Sequence, residues 1–473
     1  MNSSIPGTEP SAATARSGKF LELAVLVQSG GLLVLASWAF GGNAPWSRLA
    51  VSVWGSVGIG LSLAGLIGRK ELRGRMARWL WPFGLFNLLV FASTFNPTMR
   101  QLNLDGAVLF AKTGGQANLP GSARPAVSLG ALWLFDAIYL SCFNLALLVR
   151  RRRSLRTLLL IAAANAMALA VFGTLQKLMG ATGLFFGLVP SPQQRFFASF
   201  IYHNHWGSFA ILMTALCLGL VAHYARRSER GFWHSPAFGG LVAVFFLAAS
   251  IPLSGSRSCT LLALTLFAGA FLHWVFHLLR RNSAKKSSFL PTLAGGCLAL
   301  ALATGVTYKL AQPVIEQRAA TTREQLAAMQ SQGGIGSRAI LYRDTWHMAR
   351  DRLLFGWGMA SYPTVFYTYN TQTSPADRLP VFYYDAHSDW LQSLAELGVI
   401  GTLLLGLHAL VPLLSLRRRP RSLPGYLFAG CALVLLYAWV EFPFGNVAVV
   451  IAWWLGFFAA VRYARLDESS SSA

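Results

Sequence analysis

Apolar runs of about 20 residues, each long enough as a helix to cross a ~30 Å hydrocarbon core, alternate with short polar stretches along most of the chain. They predict twelve membrane-spanning helices, at roughly 20–40, 49–67, 78–95, 128–149, 155–177, 204–225, 236–253, 258–279, 289–310, 388–413, 423–441 and 445–463. The rhythm breaks between the ninth and tenth runs, where a polar excursion extends from about residue 312 to 387. Val314 to Gln330 reads there as a polar helix, and Gln332-Gly333-Gly334 breaks it. Ser337 then opens a second helix of about 15 residues, with Leu341, Thr345 and Met348 on one face and Arg343 and Arg350 elsewhere around it. Pro363 and the Tyr/Thr-rich stretch 362–375 close the helical part. The 96–127 loop is Gly/Pro-rich with few charges and reads as a surface cap.

Composition agrees with this pattern. Of 473 residues 54% are hydrophobic and 12% charged, and soluble domains carry about twice that charged fraction. The expected fold is therefore an all-α polytopic membrane protein with about twelve transmembrane helices and a large, partly helical outer loop between helices 9 and 10. The organisation follows: a disordered N-terminus at 1–18, helices 1–9 over 19–311, the loop over 312–387, helices 10–12 over 388–464, and a tail at 465–473.

The formal charge of +23 would point to nucleic acid in a soluble protein, but its distribution argues against that. Basic residues cluster after alternate apolar runs: Arg69 to Arg78, Arg150 to Arg153, Arg226-Arg227, Arg280 to Lys286, and Arg417 to Arg421. Positive short loops mark the cytoplasmic side. One assignment satisfies every cluster, with both termini cytoplasmic and the loops at 96–127, 178–203 and 312–387 facing outward. The five cysteines lie in or beside apolar runs without a Cys-x-x-Cys pair, so no disulfide framework or thiolate metal site is implied.

Candidate chemistry gathers at the outward ends. Arg257 lies in a very short turn between spans seven and eight. An arginine there either snorkels to the interface or clamps phosphate with its planar, bidentate donors. Arg195 precedes Ser199, Tyr202, His203, Asn204 and His205 at the mouth of span six. The two histidines, at i and i+2, would share a face only in a strand, and a helix is expected, so a metal reading is disfavoured. His387 lies where the polar loop re-enters the membrane, between Asp385 and Asp389. Histidine titrates near neutrality and can take a proton from a sugar hydroxyl, with a neighbouring carboxylate orienting its ring. The plainer reading is an interfacial histidine within an aromatic belt of Tyr383, Tyr384 and Trp390. Lys177, Lys309 and Glu441 fall near span ends, where they can reach water, whereas Asp136 lies deeper and calls for a partner or cavity.

Taken in order, several pieces resemble the O-antigen ligase and O-antigen polymerase superfamily of bacterial membrane proteins. They are Arg195-x-x-x-Ser199 with Asn204 and Gly207, then Leu253-Ser254-Gly255-Ser256-Arg257, then Gly336-Ser337-Arg338. Leu354-Phe355-Gly356-Trp357-Gly358 with Tyr362 follows, and then His387-Ser388-x-x-Leu391-Gln392-x-x-x-Glu396-Leu397-Gly398-x-x-Gly401. The likeness covers about residues 190–410, and it departs at Ser388, where many members carry asparagine.

The resemblance implies a GT-C-like glycosyltransferase architecture in the bacterial inner membrane. It implies transfer of a glycan from an undecaprenyl-diphosphate carrier, at the periplasmic face, to a lipid A–core or polysaccharide acceptor. No metal or other cofactor and no nucleic acid is expected. It implies that Arg195, Arg257 and Arg338 hold the diphosphate, that His387 activates the acceptor hydroxyl, and that Asn204, Asp385, Asp389 and Tyr362 support them. Glu396 is expected to tighten the start of span ten. Ligase and polymerase share these motifs. A transporter remains an alternative because twelve spans suit one, although the asymmetric loop and the lack of paired broken helices count against it. A non-catalytic scaffold of a polysaccharide assembly complex is the remaining reading.

Overall fold

The computed structural model describes residues 12–67, 70–105, 107–116, 118–225, 234–282, 289–332, 337–374, 378–417 and 422–469. Arg69, Arg226, Arg227, Lys285, Lys286, Gly333, Gly334, Gly336 and most of the 417–421 basic cluster lie outside them, as do both extreme ends of the chain. The described residues form fourteen α-helices, and ten of these are long and apolar enough to cross a membrane. In hydrocarbon every backbone N–H must be satisfied within its own segment, which is why uninterrupted apolar runs become helices.

The ten are α1 (Ala12–Trp38), α2 (Pro45–Leu66), α4 (Pro125–Leu148), α5 (Arg152–Leu178), α6 (His203–Tyr224), α7 (Pro236–Leu253), α8 (Arg257–Asn282), α9 (Phe289–Gln332), α12 (Asp389–Leu414) and α14 (Val447–Ser469). The other two expected spans exist as helices but fall short of the criterion. The first, α3 (Lys70–Ser93), opens on basic turns and contains Pro82 and Asn87; the second, α13 (Ser422–Tyr437), has only 16 residues.

Two further expectations are corrected. The 96–127 segment, expected as a loop, is more than loop. It carries an antiparallel hairpin of β1 (Met99–Leu104) and β2 (Ala107–Lys112), in register Met99 with Lys112. Gln101 and Asn103 alternate with Leu102 and Leu104 in β1, a period of two carried by too few residues to stand out. The ninth span also does not end near 311. α9 continues unbroken through Pro313 for 44 residues, so the predicted span and the polar helix after it are one rod.

Helices α4, α6 and α14 form the enclosed centre, whereas the apolar stretch of α9 is not buried against the rest of the chain. Near the centre, α6 approaches α8 closely because Gly207 has no side chain. A Cβ at that position would lie 2.5 Å from Cys259 Sγ.

A second, smaller core belongs to the polar excursion. In α10 (Ser337–Asp351), Leu341, Thr345 and Met348 are buried on one face. They pack with Trp357, Tyr362, Val365 and Phe366, the last three from the short helix α11 (Tyr362–Val365) and the turn after it.

This outer core is fastened to α12 by interlocked backbones. Trp357 N donates to Ala395 O (3.0 Å), Gly358 N to Glu396 O (2.8 Å) and Val399 N to Leu353 O (2.8 Å). α12 breaks at Gly398, whose φ of 66° and ψ of −174° free its backbone for these bonds. Gly356 also has positive φ, and a Cβ there would lie 2.3 Å from Glu396 backbone atoms. Only glycine tolerates that combination of φ and contact.

Candidate active site

The first turn of α6 organises the site. Asn204 Nδ2 donates to Glu441 Oε1 (3.0 Å) and to the Tyr202 hydroxyl (2.8 Å), while its Oδ1 accepts from Ser256 Oγ (2.6 Å). One asparagine therefore ties together two groups of residues from distant parts of the chain.

The first group is cationic. Arg318, on α9, donates from Nε to Gly255 O (2.8 Å) and from Nη2 to His203 Nε2 (2.9 Å). It lies within Coulombic reach of both Arg195 and Arg257, and Lys177 at the end of α5 feels Arg195 and Arg318. Arg195 and Arg257 are exposed, Arg195 in the loop before α6 and Arg257 at the first position of α8. The backbone carbonyl of Arg195 caps His203 N (3.1 Å), which fixes that loop to the helix start.

The second group centres on Glu441, which is 2% exposed. His387 Nδ1 lies 3.3 Å from Glu441 Oε2, and Arg338 Nη2 pairs with Glu441 Oε1. An ionised carboxylate only accepts, so the Nδ1 proton is on the imidazole and Nε2 is the nitrogen turned to chemistry. Among the described residues Nε2 has no hydrogen-bond partner. Burial alone would raise the Glu441 carboxyl, but the His387 hydrogen bond and the Arg338 charge outweigh it and hold it below the usual range. The Phe442 ring meets His387 edge-on at 4.7 Å and stacks on Tyr202 at 5.4 Å.

His387 itself has a left-handed backbone, φ 52°. The Tyr342 hydroxyl on α10 donates to its carbonyl (2.9 Å), and Ser388 caps α12 by accepting from Leu391 N (3.4 Å). Left-handed non-glycine residues persist where their surroundings over-determine them, often at functional sites.

Several expected roles move. Neither aspartate beside His387 orients its ring. Asp389 Oδ2 accepts from Phe444 N (2.9 Å), and Asp389 N donates to the carbonyls of Ala438 and Glu441, so it sets the backbone that carries Glu441. Burial raises the Asp385 carboxyl, while His387, Arg48 and Gln392 pull it back. Glu441 does not reach water as its place near a span end suggested. Arg338 is engaged by Glu441 and by Val440 O (3.0 Å), apart from the other arginines. Tyr362 lies outside the cluster, fully buried in the outer core with its hydroxyl on Thr345 Oγ1 (2.8 Å). The two histidines in the first turn of α6 commit Nε2 to the protein, His203 to Arg318 and His205 to Phe442 O.

Glu441 and Arg318 are the residues the motif reading missed. The signal for Glu441 was a lone carboxylate between two apolar runs, which by default needs a partner. Arg318 offered none, being one of several arginines in a polar stretch.

Residues 242–406 match the family model described as O-Antigen ligase. The similarity to the O-antigen ligase family is to this segment, about a third of the chain. The matched segment begins in α7 and ends in α12, so it includes Arg257, Arg318, Arg338 and His387. Asn204 and Glu441 lie on either side of it and complete the site from outside. Comparison with curated proteins finds no match.

Proposed function

We propose that the protein transfers a glycan from a polyprenyl-diphosphate carrier to a hydroxyl of a lipid A–core or other glycan acceptor. The observation that carries this reading is the pairing of a cationic group with a carboxylate-oriented histidine through Asn204.

His387 Nε2 takes the acceptor's hydroxyl proton as its oxygen attacks the anomeric carbon. The bond from that carbon to the diphosphate breaks, the leaving oxygen keeps the electron pair, and the configuration inverts. Glu441 holds the imidazole in the reactive tautomer and stabilises the imidazolium that forms. Arg195, Arg257 and Arg318 offset the charge accumulating on the leaving diphosphate, in a site where donors are already in place. Arg338 keeps Glu441 ionised and, by exchanging partners, is able to reach the donor.

Charge placement supports an outward-facing site in a bacterial inner membrane. Arg75 and Arg78 open α3, Arg150 to Arg153 join α4 to α5, and Arg417, Arg462 and Arg465 follow or end α12 and α14. All lie at the end of the bundle opposite the starts of α6, α12 and α14, which by the positive-inside rule supports an outward candidate site.

Reconstitution in liposomes with a lipid-linked glycan and a glycan acceptor tests the proposal. The expected outcome is a new glycosidic bond without added nucleotide. Glycan movement across the bilayer with no bond formed would replace it with transport.

A further inference from the structure

The opposite end of the bundle holds a second cationic site that glycan transfer does not use. A cavity of about 450 Å³ is lined by Arg75, Arg78, Arg417 and Arg465 together with Trp79 and Leu414. The arginines come from the start of α3, the residues after α12 and the end of α14, which sequence separates widely. Like charges brought together this way repel, and Arg465 lies within Coulombic reach of the other three. Among the described residues, none of the four forms an ion pair with a carboxylate. The nearby Glu468 accepts from Arg417 N (2.9 Å) and attracts Arg465, so one carboxylate faces four guanidinium groups.

Arg465 also shows that the site is built. Its guanidinium lies 4.8 Å from the Trp79 ring centre, and its buried Nη1 has no hydrogen-bond partner among the described residues. Trp79 is itself 4% exposed and fixes the floor of the cavity. A buried guanidinium nitrogen with no acceptor is costly unless an anion completes it.

The flank decides between anions. Leu414 is 74% exposed and Leu413 39% exposed, beside the arginines at the end of a membrane-spanning helix. Guanidinium groups above an apolar strip fit a phosphate headgroup with acyl chains lying along the helix. Basic pockets between helices at the cytoplasmic side recognise anionic lipid headgroups on these grounds. We infer that this cavity binds the phosphate headgroup of an anionic phospholipid at the end of the bundle remote from His387.

The test is lipid retention by the purified full chain in neutral detergent, read by native mass spectrometry with cardiolipin and phosphatidylcholine as probes. Cardiolipin should be retained at least about tenfold more strongly, and each arginine replaced should weaken it by about fivefold. Arg78→Gln with Arg417→Gln removes two exposed charges without touching Trp79; Arg75→Gln with Arg465→Gln removes the two inner ones. Equal retention of the two lipids, or cardiolipin binding unchanged in both folded double variants, would overturn the inference. Added inorganic pyrophosphate should not displace cardiolipin at equal concentration; displacement would assign the site to a soluble diphosphate instead.

Discussion

Two buried glutamates near the outer end of the bundle have opposite surroundings. Glu396 accepts from the backbone N–H groups of Ala360 and Tyr362, both at 2.9 Å, and more distantly from the Gln392 amide (3.4 Å), beside the interlocked backbones around Gly356 and Gly398. Glu441 meets side chains: the His387 imidazole, the Arg338 guanidinium and the Asn204 amide. Neither backbone N–H groups nor a glutamine amide titrate or transfer a proton, so Glu396 holds the outer core on α12. Among the partners of Glu441, the His387 imidazole can titrate and transfer a proton. Both are buried glutamates, and the kind of donor sets the clamp apart from the proposed participant in chemistry.

Substitutions at these two glutamates should therefore break different things. Glu441→Gln keeps the shape but removes the charge that orients His387, and transfer should fall by about a hundredfold. Folded protein should be recovered normally, as gel filtration would show. Glu396→Ala leaves two buried N–H groups without acceptors and should cost about 2 kcal/mol in thermal or denaturant unfolding. Turnover per folded molecule should stay within about twofold. If Glu396→Ala instead abolished turnover in fully folded protein, the division between clamp and chemistry would be wrong.

A smaller effect is expected in the cationic group. Arg318→Gln removes one charged donor of three, and affinity for the lipid-linked donor should weaken by about tenfold. The maximal rate should change less than the affinity.

The smallest effect concerns pH. Folding holds the Glu441 carboxyl below its ordinary value of 4.5, so the unfolded chain binds its proton first as the pH falls. The stability it contributes is present above about 4.5 and is lost as pH drops through the lower folded value. Glu441→Gln should flatten that part of an acid unfolding curve, and an unchanged slope would mean that the carboxylate is not held by His387 and Arg338.

Run length and residue type made much of this legible. Apolar runs located the membrane helices, and the spacing of Leu341, Thr345 and Met348 located the buried face of α10. His387, Arg195, Arg257 and Asn204 stood out because polar groups at a membrane boundary need a reason. The partner of His387 was not legible, since Glu441 is brought to it only by the packing of α13 and α14 against α6 and α12. Nor was the role of Glu396 with Gly398, because an Glu-Leu-Gly sequence does not reveal that a second backbone docks on it. Strands of six residues and a helix that continues past its apolar part lie at the limit of periodicity arguments.

The central claim is that His387 activates the acceptor while other residues hold the donor. Single-turnover transfer by folded His387→Gln, at saturating lipid-linked donor, tests it most directly. The account predicts a rate about a thousandfold below wild type with donor affinity unchanged. Transfer at the wild-type rate would contradict it.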